Sequence, residues 1–177
     1  MIKYSKLLLI FFLMLSFKVH SQKNAHWSSR LLYGGNLGLQ FGTVTAIDLS
    51  PQIGYMVTDK LTPGVGITYQ YYSDNRISGY EFKTHIYGGR IYTSYEFIEN
   101  FIAHIEYEAL SLESQYFKVN YTPNDEDRFW SHNLFVGGGY SQPIGRKGSV
   151  FILVLYNLNE SINSPYTNPV VRVGFNF

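Results

Sequence analysis

The chain has 177 residues, with 16 Tyr, 13 Phe and no cysteine, and its 14 basic and 13 acidic residues nearly cancel. This length suffices for one domain, and the charge balance lacks the basic excess that nucleic-acid binding calls for. Without cysteine there is neither a disulfide framework nor a lipidated cysteine anchor, so an exported chain of this size must be stabilised in another way.

The first segment reads as an address. Lys3 and Lys6 precede an apolar run from Leu7 to Phe17, broken only by Ser16, and Val19 and Ser21 supply small or β-branched side chains before a cleavage point. This predicts a secretory signal peptide over 1–21, with a mature chain from Gln22 and a tail over 22–29. The run is too short for a spanning helix, which needs roughly 20 apolar residues. Removing it takes away Lys3, Lys6 and Lys18 and leaves 13 acidic against 11 basic residues.

From residue 30 to 177 the recurring pattern has period two, the mark of strands with two unlike faces. Leu31, Tyr33, Gly35, Leu37, Leu39 and Phe41 alternate with Leu32, Gly34, Asn36, Gly38, Gln40 and Gly42. A second strand sets Ile47, Leu49, Ile53, Tyr55 and Val57 against Asp48, Ser50, Gln52 and Gly54. A third sets Leu61, Val65, Ile67, Tyr69 and Tyr71 against Thr62, Gly64, Gly66, Thr68 and Gln70. Pro51 and Pro63 fall inside these two; neither can donate to a ladder, and both are expected near bulges or strand ends. The fourth strand alternates Tyr87, Gly89, Ile91, Thr93 and Tyr95 with Gly88, Arg90, Tyr92 and Ser94. The fifth alternates Phe101, Ala103, Ile105 and Tyr107 with Ile102, His104, Glu106 and Glu108. The sixth carries Leu134, Val136, Gly138 and Tyr140. The seventh, Ser149 to Asn159, is apolar on both faces, which leaves its orientation open. The eighth, Pro169 to Phe177, sets Val171, Val173, Phe175 and Phe177 against Arg172, Gly174 and Asn176.

The connections alternate in length. Thr58 to Lys60, Ile98 to Asn100 and Pro143 to Gly148 are tight. Ser73 to Phe82, Glu113 to Phe129 and Glu160 to Asn168 are longer and polar, and Gly42 to Thr45 is short. An even number of strands, short turns on one side and aromatic-rich apolar faces predict an eight-stranded antiparallel up-and-down transmembrane β-barrel, with short periplasmic turns and longer outer loops. Three-residue spacings between Val57 and Leu61, and between Phe97 and Phe101, keep one side of the sheet across the turn; pairing 97 with 101 sets Arg90 opposite Glu108.

An eight-strand interior is just wide enough for side chains to fill it. A polar filling and no open pore are expected, with Asp48, Arg90, Glu106, Glu108 and Arg172 as a lumen charge network: Arg90 with Glu108, and Arg172 with Asp48 or Glu106. No catalytic residue, metal ligand or cofactor motif is assigned. His85 and His132 fall near the outer ends of strands four and six, close to Ser73 and Ser131, which leaves a lipid A-modifying enzyme as an alternative; a soluble, periplasmic lipocalin-like ligand-binding barrel is another. Asn124 to Asp127 lacks the glycine of a calcium loop and reads as a solvated loop. Tyr80, Phe82, Tyr116, Tyr121 and Trp130 are outer-loop interaction candidates.

The segments VTDKLTPGVGITYQYY, IYGGRIYTSYEF, FVGGGYSQPIG and SPYTNPVVRVGFNF resemble the tight turns, glycine-rich strands and final strand of a group of short outer-membrane β-barrel proteins of Bacteroidota. The architecture is similar to the small OmpA/OmpX type. The resemblance implies location and fold, not a reaction. It implies a place in the outer membrane of a Gram-negative bacterium, in contact with membrane lipid and lipopolysaccharide; a monomer is expected. Val171, Val173, Phe175 and Phe177 resemble the C-terminal signal read by the outer-membrane assembly machinery.

Overall fold

The computed structural model describes residues 27–40, 44–77, 80–118, 120, 122, 126–145, 148–166 and 168–177. The expected signal peptide and residues 22–26 of the expected tail lie outside the described residues. A 3-10 turn, Trp27–Arg30, leads into eight strands: β1 Leu31–Gln40, β2 Val44–Tyr55, β3 Leu61–Ile77, β4 Tyr80–Ile98, β5 Phe101–Glu113, β6 Arg128–Ile144, β7 Gly148–Asn157 and β8 Val170–Asn176. A single helical turn, α1 (Ser114–Phe117), follows β5. Each strand pairs antiparallel with the next and β8 pairs with β1, so the chain is a closed up-and-down barrel.

Closure pairs the first strand with the last. The seam is short: Gly34, Gly35 and Asn36 pair with Asn176, Phe175 and Gly174. It is extended at the very end of the chain, where Tyr33 and Phe177 exchange two backbone hydrogen bonds of 2.9 and 2.7 Å. Phe177 is therefore part of the closure as well as the last residue.

The alternation in the sequence becomes an inside and an outside. Tyr33, Leu37, Leu49, Ile53, Val65, Ile67, Ile91, Ile105, Ile152, Val154, Val171 and Val173 project outward and are exposed. Asn36, Thr68, Arg90, His104, Glu106, Glu108 and Arg172 project inward and are buried. Outward aromatics gather towards the two ends: Tyr55, Tyr95, Phe97, Phe101, Tyr140 and Phe177 at the end with the tight turns, and Tyr69, Tyr87, Tyr107, Trp130 and Tyr156 towards the other. We call these the turn end and the loop end.

Several strands run further than their hydropathy suggests. Ser73 to Phe82 is a hairpin extension, not a long loop: β3 continues to Ile77, β4 begins at Tyr80, and the two stay paired past a register shift between Asp74 and Ile77. Backbone pairing does not require apolar side chains, so a strand can continue through polar residues beyond the apolar band. β6 likewise begins at Arg128, which puts Trp130 in a strand.

The prolines behave differently from one another. Pro63 sits at the third residue of β3. Pro51 lies well inside β2, and the β2–β3 ladder skips from Leu49↔Tyr69 to Gln52↔Gly66 around it, as a missing donor requires. At the β4–β5 turn Phe101 pairs with Ile98, not Phe97. A one-residue irregularity between Glu96 and Ile98 absorbs the difference, Asn100 takes a left-handed φ of 66°, and Arg90 lies across from Glu108. The β2–β3 turn is fixed by Thr58, whose hydroxyl accepts from the amides of Lys60 (3.2 Å) and Leu61 (2.9 Å).

β7 acquires a definite orientation: Phe151, Leu153, Leu155 and Asn157 point in, and Val150, Ile152, Val154 and Tyr156 point out. Its partner β6 presents Gly137 and Gly139 inward. A methyl group on Gly139 would collide with the carbonyl oxygen and carbon of Ile152, whereas one on the outward Gly89 would meet nothing closer than 3.8 Å. Gly139→Ala should therefore cost about 1–3 kcal/mol, the usual range for overpacking. Urea unfolding of the refolded chain checks this, with Gly89→Ala expected to shift the midpoint far less.

Candidate functional site

Three zones stack inside the barrel. In the middle, β5 contributes Glu106 and Glu108, two residues apart and so on one face. Arg172, from β8, reaches across the lumen to both: Nη1 bonds Glu106 Oε1, and Nη2 lies 3.6 Å from Glu108 Oε2. Arg90 sets Nη1 3.9 Å from Glu106 Oε2 and donates through Nη2 to the Ser50 carbonyl and to Gln52 Oε1, both at 3.1 Å. Glu108 accepts from Thr68 Oγ1 at 2.7 Å and from the Tyr166 hydroxyl at 2.8 Å.

Two cations thus meet two carboxylates. Arg90 faces Glu108 in register, yet its guanidinium turns to Glu106, while Arg172 takes both carboxylates. Asp48 is not Arg172's partner; it accepts the Ser50 hydroxyl at 2.6 Å. The reason is reach. Arg172 projects from the opposite wall towards two carboxylates at once, and Phe135 lies under its guanidinium at 4.9 Å.

At the loop end the interior turns apolar. Ile86, Leu110 and Leu112 form one buried cluster there, and Phe135 and Leu155 belong to another that continues along β7 through Leu153 and Phe151 towards the turn end. Tyr166 packs against both, meeting Phe135 edge-on at a centroid distance of 5.3 Å. It belongs to the β7–β8 connection, which folds back into the mouth. Asn157 and Asn168 exchange two hydrogen bonds, and Asn133 accepts from Asn157 Nδ2 (2.8 Å) and Ser164 Oγ (3.3 Å). Burial, and next the neighbouring Glu108 carboxylate, push the Tyr166 phenol well above its ordinary value, which keeps it a donor. The expected polar filling is corrected here: it holds for the middle zone, and towards the loop end the described interior is apolar.

At the turn end the interior opens into a vestibule of about 670 Å³. It is lined by the apolar residues Leu32, Ile102, Phe151 and Leu153 and the polar residues Gln52, Ser94, His104, Glu106 and Asn176. His104 Nδ1 lies 2.9 Å from Ser94 Oγ, its Nε2 lies 3.4 Å from Glu106 Oε2, and Tyr92 stacks on its ring at 5.5 Å and 21°.

The other expected site residues sit elsewhere. His85 and His132 are on the outer surface, whereas Ser73 and Ser131 are buried on the opposite face of the sheet, so the suspected Ser–His proximity does not form. Each histidine instead pairs through Nδ1 with a tyrosine hydroxyl: Tyr69 with His85 at 2.8 Å, and Tyr107 with His132 at 2.7 Å. Nearby, Arg128 stacks over the Tyr87 ring at 4.5 Å and pairs with Glu113 at 3.3 Å. Tyr116 is exposed on α1 and Trp130 on the outer face of β6. Tyr80 and Phe82 belong to β4, with side chains outside the described residues, and Tyr121 lies outside them altogether, as do Asn124 and Asp125. Val171, Val173, Phe175 and Phe177 all face outward. No family model, curated protein or solved structure matches this chain.

Two substitutions test the middle zone. Tyr166→Phe removes one hydrogen bond to a buried carboxylate and should cost roughly 1.5–3 kcal/mol in urea unfolding. Arg172→Met leaves two buried carboxylates without their shared partner and should cost about 3–5 kcal/mol.

Proposed function

We propose that this protein is an integral barrel of the bacterial outer membrane, with its turn end in the periplasm and its loop end at the cell surface. The observation that carries the reading is the inverted polarity. The outward face forms a continuous apolar band flanked by aromatics, while charges are buried within. A water-soluble monomer rarely exposes contiguous apolar patches larger than a few hundred Å². Shielding each large apolar side chain is worth about 1.5–3 kcal/mol, against a net fold stability of only ~5–15 kcal/mol. Lipid as the outer solvent resolves the conflict, and aromatic belts at both ends suit the two membrane interfaces. A soluble ligand-binding barrel would need the opposite arrangement.

The role that fits this geometry is structural or surface-interacting, carried by the loop-end connections with Tyr116 and Trp130. The plug around Tyr166 argues against a continuous pore. Membrane lipid and lipopolysaccharide would be its surroundings, with the assembly machinery as its partner during biogenesis. The Tyr-paired positions of His85 and His132, away from any serine, remove the motive for lipid A chemistry at that rim.

Fractionation is the direct check. The protein should stay with outer membranes through a carbonate wash, require detergent for release and show heat-modifiable gel mobility; release by carbonate alone would contradict the proposal. Deleting Phe177 removes the two seam hydrogen bonds with Tyr33 and should lower the folded, heat-modifiable fraction; normal assembly of that variant would count against its role in closure.

A further inference from the structure

The vestibule holds a chemical arrangement that neither the barrel fold nor a surface role needs. Ser94 on β4 and His104 on β5 are direct cross-strand partners, and Glu106 is the next inward residue on β5. The three side chains line one cavity. Ser94 Oγ is 2.9 Å from His104 Nδ1, a good hydroxyl–imidazole hydrogen bond. His104 Nε2 is 3.4 Å from Glu106 Oε2, a long contact of the kind that tightens when a site is occupied. Glu106 is held in place by Arg172, and the ring of His104 is held by Tyr92. A carboxylate that accepts Nε2–H selects the tautomer with its lone pair on Nδ1, directed at Ser94. That is the nucleophile, base and orienting acid in order.

The surroundings fit a substrate. A volume of about 670 Å³ lies within the range of small-molecule sites. Ile102 on β5 and Phe151 and Leu153 on β7 are apolar lining residues of the same cavity as Ser94 and His104, so an acyl chain can lie against them while its carbonyl meets Ser94. Arg172, held by Glu106 and Glu108, and Asn176, which accepts from Gln52, line the same cavity. The cavity opens at the turn end, beside Lys60 and Asn100, so substrate and water enter from that side.

We propose that Ser94, His104 and Glu106 form an acyl-ester hydrolase site inside the barrel, acting on small esters with an apolar acyl chain. Ser94 Oγ attacks the ester carbonyl as its proton passes to His104 Nδ1. The bond to the alkoxy oxygen breaks and the alcohol leaves with that proton. Water then attacks the acyl-serine, giving its proton to His104; the acid departs and Ser94 recovers its hydrogen. Ser94 and His104 are the catalytic residues, and Glu106 is a positioning residue that acts through His104.

The test uses the full chain, refolded in detergent micelles and shown to be folded by heat-modifiable mobility. A fluorophosphonate probe should label Ser94, as located by mass spectrometry of the digest, and p-nitrophenyl octanoate should be hydrolysed. Ser94→Ala, which removes one hydroxyl and keeps the fold, should abolish labelling and lower hydrolysis by roughly 10²-fold or more, as should His104→Gln. Glu106→Gln should lower kcat with KM unchanged, and Glu106→Asp should restore part of the labelling rate. A folded barrel whose Ser94 stays unlabelled, a label found on another serine, or a labelling rate unaltered by His104→Gln overturns the proposal.

Discussion

The tie between Arg172 and the two glutamates of β5 is the interaction on which the interior depends. It joins the last strand, which closes the barrel, to the middle of the chain across the lumen. An arginine and two carboxylates taken out of water are costly unless they neutralise and hydrogen-bond one another. Glu106, Glu108, Arg90 and Arg172 do so as two pairs' worth of charge, with Thr68, Ser50, Gln52 and Tyr166 satisfying further donors and acceptors. Closure of the seam and compensation of the lumen charges are therefore linked: β8 cannot leave without taking from both carboxylates the arginine they share.

That tie also divides the lumen. On its loop-end side Tyr166 caps it and packs against two apolar clusters. On its turn-end side the same Glu106 forms one wall of an open vestibule. One charged layer thus serves as the floor of the plug and the ceiling of the cavity, with Tyr166 above and His104 below.

The sequence makes the fold readable because alternation survives where the two faces see different surroundings. Leu31 to Leu37 and Phe101 to Glu108 could be assigned residue by residue for that reason, and a closed eight-stranded antiparallel barrel follows. β7 has no orientation in the sequence because its inward residues Phe151, Leu153 and Leu155 form an apolar cluster, which removes the contrast between faces. The β3–β4 hairpin was hidden for the opposite reason: its distal residues have the composition of a loop while their backbones remain paired. Tyr166 carries no periodic signal, since it comes from a connection that folds inward. Ser94 lies on the inward face, and the register that sets Arg90 opposite Glu108 also sets Ser94 opposite His104; what alternation and spacing do not carry is the side-chain geometry that brings Oγ within 2.9 Å of Nδ1.

The central claim is that the apolar exterior meets lipid and the charged interior does not. The chain has no native cysteine, so single cysteines can be introduced as reporters without background. Ile67, Ile91 and Val154 on the outside, and Ser94 on the vestibule wall, form the informative set. In reconstituted vesicles a fluorophore at the three outward positions should be quenched by lipids brominated on their acyl chains and ignored by an aqueous quencher, with Ser94→Cys giving the reverse. Aqueous quenching at Ile67→Cys, Ile91→Cys and Val154→Cys, with no effect of the brominated lipid, would contradict the account.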